Sequence, residues 1–206
     1  MSILMMIMIA VQVIALALSP AARDAARDFL AGSSEREFRD ALGPSAAMSV
    51  VTGLLVIALA VLTMIWMFRM AKNLQTVQRV ATWTPGWAIG GWFLPPGVLY
   101  VIPYLMLRDL WRGSSPEHND WRDNTISPLV HAWWVFYGLL PIAFVTITLS
   151  GTSIRGTNLR KVARNLDDQF ARSIAAGIVQ IAAAMVYLAL VRQLTQRHAR
   201  FTHETP

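Results

Sequence analysis

The chain has 206 residues, of which 55% are apolar and 15% charged, and it carries a net charge of +6 without a single cysteine. Soluble domains have about 25% charged residues, so this composition excludes an ordinary water-soluble protein and predicts an integral membrane protein. The missing cysteines exclude disulfides, thiolate metal sites and a cysteine nucleophile. The basic residues flank apolar runs, which favours anionic lipid headgroups over nucleic acid as their partner.

The first apolar run, 1–22, contains no charged residue and is long enough to cross a bilayer, which needs about 20 apolar helical residues. A cleaved signal peptide is the alternative, but the run lacks a positive start and exceeds the usual apolar core of about 7 to 15 residues. We therefore predict a retained first span. The charged segment 23–42 predicts a helical hairpin at the membrane surface, with a turn at 32–34 and an ion pair between Glu35 and Arg39.

Three later runs are also long and free of charge, and they predict spans at 46–68, 129–149 and 174–191. The span at 129–149 follows Ser127-Pro128, which is a typical helix start. Between the last two spans, the apolar residues of 159–170 recur every three or four positions among cations. This spacing predicts an amphipathic surface helix.

The segment 83–107 is apolar, but two adjacent prolines, Pro95 and Pro96, interrupt it. Proline lacks an amide hydrogen and disturbs the preceding turn, so a helix beginning near Pro85 is predicted to end by 93–94. The part after the prolines has only about 11 residues, or roughly 16 Å of helix, so neither half crosses alone. The segment therefore either crosses as two stacked half-helices or enters and leaves on one side.

Aromatic and small residues concentrate in the middle of the chain. Seven of the eight tryptophans lie within 83–134, and tryptophan is typical of the boundary between lipid and water. The alternative is an aromatic pocket for a lipid tail, an isoprenoid or a pigment. The candidate contacts for lipid or a partner are Trp87, Trp92, Trp133 and Trp134. The candidates for helix packing and for the break are Gly86, Gly90, Pro95, Pro96 and Pro103.

One loop brings metal-ligand chemistry together at close range, with Glu117, His118, Asp120 and Asp123. Their spacing matches no standard metal site, and Arg122 among them favours salt bridges. The predicted spans contain no Asp, Glu, Lys or Arg of the kind that ion-coupled transporters use. The motifs of zinc proteases, phosphate loops and serine hydrolases are absent. The sequence therefore predicts no enzyme, no cofactor and no metal.

A series of short motifs resembles a known family. In chain order they are Trp66 with Arg69 and Lys72-Asn73, Thr84-Pro85-Gly86-Trp87-Ala88, Trp92-Phe93-Leu94-Pro95, Pro103-Tyr104, Arg108-Asp109-Leu110-Trp111-Arg112 and Trp133-Trp134. The chain is similar over residues 48–195 to the bacterial membrane family called domain of unknown function 4328. The resemblance implies a multi-pass protein of the bacterial inner membrane with no assigned activity, and it favours a cytoplasmic N-terminus.

The predicted fold is all-α, a single domain over residues 1–206. It is an integral membrane helical bundle with about four full spans, the broken segment 83–107 and amphipathic helices at the interface. We predict a non-catalytic component that binds membrane lipids or other membrane proteins, with both termini in the cytoplasm and no nucleic-acid partner. The alternative is a channel or carrier for small solutes in which 83–107 lines a polar path. The 18 cations divide nine to nine if 83–107 re-enters, and ten to eight in favour of an outside N-terminus if it crosses, so the orientation rests on the resemblance.

Overall fold

The computed structural model describes residues 1–77, 83–93, 96–139 and 158–202, and every regular element in these ranges is helical. The α-helices are α1 (Ser2–Ala31), α2 (Glu35–Thr76), α3 (Trp87–Gly90), α4 (Pro96–Gly113), α5 (Pro128–Trp133), α6 (Leu159–Asp168) and α7 (Phe170–Thr202). Short 3-10 helices occupy Gly91–Phe93 and Trp121–Asp123, and a π-helix, Trp134–Leu139, continues α5. The all-α prediction is confirmed.

Three helices, α1, α2 and α7, are long and apolar enough to cross a membrane. They contain 30, 42 and 33 residues. At 1.5 Å per residue, their lengths are roughly 45, 63 and 50 Å. A bilayer has a hydrocarbon core of about 30 Å, so each of them extends beyond it. The predicted spans 46–68 and 174–191 lie within these helices, and the span 1–22 does so from Ser2 onward, whereas the predicted span 129–149 is described only as far as Leu139.

Helix α1 packs antiparallel against α7. Near the start of α1, Arg192 Nη2 donates to Met6 Sδ at 3.5 Å. Further along the pair, a Cβ atom added to Gly177 would lie 2.8 Å from Leu16 Cδ1, so the two helices approach closely there. The start of α1 and the last turns of α7 therefore lie at the same end of the bundle.

The main core lies between α2, α4, α5 and α7. Its buried side chains include Met67, Met70 and Leu74 of α2, Met106, Leu107 and Leu110 of α4, Val130 and Trp133 of α5, and Tyr187, Leu190 and Leu194 of α7. The α7 residues recur every three or four positions and so share one face of the helix. Tyr187 also shares a buried hydrogen bond with Thr63. In a bilayer, such close packing and hydrogen bonding stabilise helix association, because lipid tails are as apolar as the core.

A second, smaller core lies beyond the charge-free part of the long helices. It is formed by residues 23–31 of α1, residues 35–42 of α2 and all of α6, which together we call the helical cap. Ala26, Phe38 and Ala163 are buried in it, and the ring of Phe29 stacks on Phe38 with centroids 4.7 Å apart. Stacked rings of this kind add about 0.5–1.5 kcal/mol to the burial of their area.

The turn of the hairpin lies where the sequence predicts it. Gly32 ends α1 with a φ of 119°, a conformation that glycine adopts without strain. The Ser34 side chain accepts a hydrogen bond from the Glu37 amide and so caps α2. The predicted ion pair between Glu35 and Arg39 is also present.

The cap corrects the prediction in two respects. The arms of the hairpin are not separate surface helices, because α1 continues through Pro20 and α2 runs through Pro44 without interruption. Helix α6 is amphipathic as predicted, but its apolar residues face the hairpin instead of lipid. Leu159, Val162 and Leu166 pack against the core of the cap. Periodicity reveals an apolar face and not what covers it.

Two described helical elements flank the predicted break, which itself falls partly on residues outside the described ranges. The 3-10 helix ends at Phe93, and α4 begins at Pro96, a residue well suited to a first helical turn. Pro95 lies outside the described residues, and Pro103 is buried within α4. A Cβ atom added to Gly113 would lie 2.8 Å from Leu74 Cδ1, so α4 ends beside the end of α2.

The last turns of α2, α4 and α7 lie at one end of the bundle, together with residues 114–127. We call this part of the molecule the loop end.

Candidate functional site

The loop end holds most of the buried polar side chains of the described residues. Asp109, Ser114, Ser115, Asn124 and His198 are each at most 5% exposed. Polar groups removed from water destabilise a protein unless they are hydrogen-bonded, so the partners of these five residues decide what the cluster can do.

Asn124 holds the loop against the end of α4. Its Nδ2 donates to the carbonyl oxygens of Arg112 at 2.8 Å and Ser115 at 3.0 Å. On the other side of the amide, its Oδ1 shares a hydrogen bond of 2.9 Å with His118 Nδ1. One side chain thus fixes two backbone carbonyls and the histidine of the loop.

Two further contacts join the loop to α7. Ser114 Oγ and His198 Nδ1 are 3.0 Å apart. Arg197 Nη2 donates to Glu117 Oε1 at 3.2 Å, and its guanidinium lies 5.2 Å from the centre of the Trp111 ring. A serine and a histidine at this distance have the geometry of a nucleophile and its base. Ser114 is 0% exposed, however, so in this arrangement no substrate reaches its hydroxyl.

The buried carboxylate Asp109 is paired on one oxygen only. Arg108 Nε donates to its Oδ1 at 3.0 Å, while Oδ2 accepts no hydrogen bond from the described residues. The Arg108 side chain is 30% exposed, so the arginine of this ion pair reaches the protein surface. The carboxylate is 1% exposed, so it lies at the end of α4 without meeting solvent.

The loop residues with metal-ligand chemistry are engaged separately. His118 pairs with Asn124 and Glu117 with Arg197, while Asp120 Oδ1 accepts from the Arg122 amide at 2.9 Å. Within the described part of the chain, no three histidine, aspartate or glutamate side chains form a group that could hold a metal ion. These side chains bind other residues of the same loop and of α7.

The four tryptophans predicted as contacts occupy two kinds of environment. Trp87 is 38% exposed on α3, and Trp92 is half-buried with its Nε1 unpaired among the described residues. Trp134 is half-buried and packs on Tyr104 with ring centroids 5.0 Å apart. Trp133 is only 3% exposed and lies inside the bundle. Three of the four therefore retain surface that a lipid or a partner could touch.

The predicted glycine pair lies beside the close approach and not in it. A Cβ atom added to Gly86 or to Gly90 meets no atom within 4 Å. A Cβ atom on the next residue, Gly91, would lie 2.7 Å from Ile102 Cγ2. The short helical segment before the break thus packs against α4 through Gly91.

Sequence reasoning missed the residues that organise the loop end. His198 had a signal, because it follows Leu194 by four positions and Tyr187 by eleven and so continues the buried face of α7. Ser114 and Asn124 had none, since each is a common loop residue whose partners are distant in sequence or are backbone carbonyls.

In the helical cap, one carboxylate joins α6 to α1. Asp167 Oδ1 accepts from Arg23 Nε at 2.7 Å and from Arg27 Nε at 2.8 Å. The hydrogen bond from Arg23 is the largest cause that lowers the pKa of the Asp167 carboxyl below its ordinary value. Desolvation opposes it, and the hydrogen bond and charge of Arg27 add to the lowering. Arg23 also lies over the ring of Phe170, 4.4 Å from its centroid, where α7 begins.

A groove of about 490 Å³ opens on the hairpin of the cap. It is lined by Ala25, Ala31, Ala41, Ser33, Phe38 and the two acids Asp28 and Glu37. Both acids are exposed, and neither forms an ion pair with a described residue. The small alanine side chains allow another chain to approach the floor of the groove closely. The two acids place negative charge beside this shallow apolar surface. We call it the acidic groove.

One comparison with known proteins assigns the chain to a family. A family model described as domain of unknown function (DUF4328) matches residues 31–196, well over half of the sequence. No curated protein and no solved structure matches the chain. The matched region begins at the last residue of α1, includes residues 114–127, α6 and most of α7, and ends just before Arg197 and His198.

Proposed function

The chain belongs to the DUF4328 family, and from this premise we propose that it is a non-catalytic component of the bacterial cytoplasmic membrane. In this proposal its apolar helices bind lipids and other membrane proteins. Three helices that can cross a membrane support the location. The family name assigns no activity, so the proposed role rests on the surfaces of the molecule.

One observation carries this proposal, the open apolar face of α2. Val50, Leu54 and Ile57 are 64%, 63% and 64% exposed. They recur at helical spacing, as do Val61 and Ile65 further along the same helix. Monomeric soluble proteins rarely expose a continuous apolar face of this length, whereas a bilayer or a second membrane protein covers it at no cost.

The polar cluster supports a structural role over a catalytic one. Its serine and histidine bind each other, its asparagine binds backbone carbonyls, and its acid is paired with Arg108. A catalytic group must reach its substrate, and a buried hydroxyl at 0% exposure does not. We infer that the cluster fixes the loop end.

We further propose that segment 83–107 enters and leaves the membrane on one side. The end of α2 at Leu74 and the end of α4 at Gly113 are in contact. This contact supports a path in which the chain enters the membrane after α2 and returns to the same side at the end of α4. With the start of α1 and the end of α7 also at the loop end, both termini would lie on one side, in the cytoplasm. Reporters fused after Trp111 and after Arg200 should then give the same signal, and opposite signals would show that the segment crosses.

A photoreactive amino acid tests the apolar face. Placed at Ile57, it should form adducts with lipid or with another membrane protein in intact cells. The matched control is Met67 on the same helix, which is 0% exposed and should give only adducts within the chain. Labelling of a cysteine at position 57 by a membrane-impermeant reagent would contradict the proposal, because it would place this face in water.

The alternative function is a channel or carrier for small solutes in which 83–107 lines a polar path. The unpaired Nε1 of Trp92 and the 3.0 Å hydrogen bond between Tyr104 and His131 favour it, since both place polar groups beside the broken segment. The tight contact of Gly91 with Ile102 disfavours it. Single cysteines at Gly86 and Gly90, where a side chain has open space, would react with an impermeant thiol reagent if they bordered water, and uniform protection would exclude the pore.

A further inference from the structure

The helical cap presents opposite charges on two of its surfaces. The acidic groove carries the exposed acids Asp28 and Glu37. Helix α6 buries its apolar side against the hairpin, so its outward face carries the exposed cations Arg160 and Arg164. None of these four side chains forms an ion pair with another described residue. The cap therefore has an unpaired negative surface and an unpaired positive one.

The two surfaces also lie close to each other along the cap. Asp167 contacts Arg27, the neighbour of Asp28, so that part of α6 and the groove share a level. Arg164 precedes Asp167 by about one helical turn, a rise of roughly 5 Å. Two copies of the chain inserted in the same direction would present α6 of one opposite the groove of the other, with little vertical offset.

From these observations we propose that the acidic groove binds helix α6 of a second copy of this chain. The alanine floor lets the incoming helix approach, and Asp28 and Glu37 meet the arginines of α6. Exposed ion pairs each contribute about 0–1 kcal/mol, which is small in free solution. In a membrane, the fixed orientation and depth of both copies reduce the entropy lost on association, so weak contacts suffice.

This contact joins two different surfaces. Each copy that donates α6 keeps its own groove open, and each copy that accepts a helix keeps its own α6 unused. Unless two copies exchange α6 reciprocally, such heterologous contacts build rings or chains. The inference rests on the proposed function as a membrane component, because only the bilayer holds the copies at one height.

The natural absence of cysteine makes a direct test simple. Ala31→Cys places a thiol in the groove, and Arg160→Cys places one on α6 while keeping Arg164. In membranes of cells that express both variants under different tags, oxidation should give a mixed dimer. Each variant expressed alone should give none, and the double variant should give a ladder of higher species.

Charge variants then test the mechanism of pairing. Asp28→Asn with Glu37→Gln in the groove copy should lower the mixed cross-link by about fivefold. Asp40→Asn on the same hairpin, outside the groove, is the matched control and should leave it unchanged. Asp28→Arg in one copy should abolish the cross-link, and Arg164→Asp in the other copy should restore it.

Other outcomes would overturn the proposal. Dimers from either single variant alone would indicate a symmetric contact. A mixed cross-link that survives neutralisation of the groove would contradict the proposed charge pairing, because it would show that Asp28 and Glu37 do not hold α6. Absence of the mixed cross-link would exclude the pairing. Continued lipid labelling at Ile57 in that same preparation would show that the proposed membrane role stands without it.

Discussion

The helical cap and the loop end share one long helix, α2, yet different interactions hold them together. In the cap, apolar side chains close around Phe38, and one carboxylate on the surface receives two arginines. At the loop end, a buried asparagine and a serine–histidine pair fix the chain. Removal of a surface charge leaves nothing buried and unpaired, whereas removal of a buried amide does. The two ends should therefore respond to different substitutions.

The largest effect is expected in the core of the cap. Phe38→Ala removes a ring that is 1% exposed and stacked on Phe29, so it should destabilise the cap by about 3–4 kcal/mol. Hydrogen exchange should increase in residues 23–42 and in α6 while the loop end stays protected. Phe93→Ala, at a ring that is 76% exposed, is the control. Equal loss of protection at both ends would show that they unfold together.

A somewhat smaller effect is expected from the amide of the loop end. Asn124→Ala leaves two backbone carbonyls without their donor and should destabilise this region by about 2–4 kcal/mol. The melting temperature in detergent should fall, and proteolysis of the loop should increase, with the cap unaffected. Asn119→Ala, at an exposed residue of the same loop, should change neither. If Asn124→Ala left the melting temperature and the proteolysis unchanged, the carbonyl oxygens of Arg112 and Ser115 would have found other hydrogen-bond donors.

The contact of the broken segment with α4 gives the third prediction. Gly91→Ala places a methyl group 2.7 Å from the branched and stiff Ile102 and should cost about 1–3 kcal/mol. Gly90→Ala next to it has open space and should leave stability unchanged or raise it slightly. The measurement is the melting temperature of the two variants in the same detergent. If Gly90→Ala lowered the melting temperature more than Gly91→Ala, the close contact would lie at the predicted pair of Gly86 and Gly90.

The smallest effect concerns the ion pair of the cap and its pH dependence. Because the folded pKa of Asp167 lies below its ordinary value of 3.8, its contribution is fully present above that value and is lost as the pH falls through the lowered pKa. Proteolysis of α6 in the intact protein should increase on acidification below about pH 4. In Asp167→Asn, α6 should be more sensitive to proteolysis than in the wild type already at neutral pH. Acidification should then cause no further increase in its proteolysis.

The neighbouring residue supplies the control for that experiment. Asp168→Asn removes an exposed carboxylate that has no ion pair with a described residue, so it should behave as the wild type. If Asp167→Asn keeps the full acid response, other carboxylates control the opening of the cap.

Local features of the fold were predictable from the sequence. The charge-free runs predicted helices that can cross a membrane, and glycine followed by two serines predicted the turn at 32–34. Pro128 predicted the start of α5, where Ser127 caps the helix. Each of these signals acts within a few residues, because helix propensity, capping and proline geometry are local properties.

Contacts between distant parts of the chain were not predictable in this way. The spacing of glycines suggested Gly86 and Gly90, but the close approach at Gly91 depends on where Ile102 lies in another helix. The polar cluster depends on Ser114 and His198, which are 84 positions apart and share no motif. The apolar side of α6 was visible, yet only the fold shows that the hairpin covers it.

The length of α2 has a mechanical consequence. With 42 residues it is about twice as long as a lipid core is thick, so in the proposed membrane location one continuous helix would reach water on both sides. One arm carries Phe38, and the other ends with Leu74 against Gly113. In that location, any tilt imposed on one arm would move the other arm in the opposite direction.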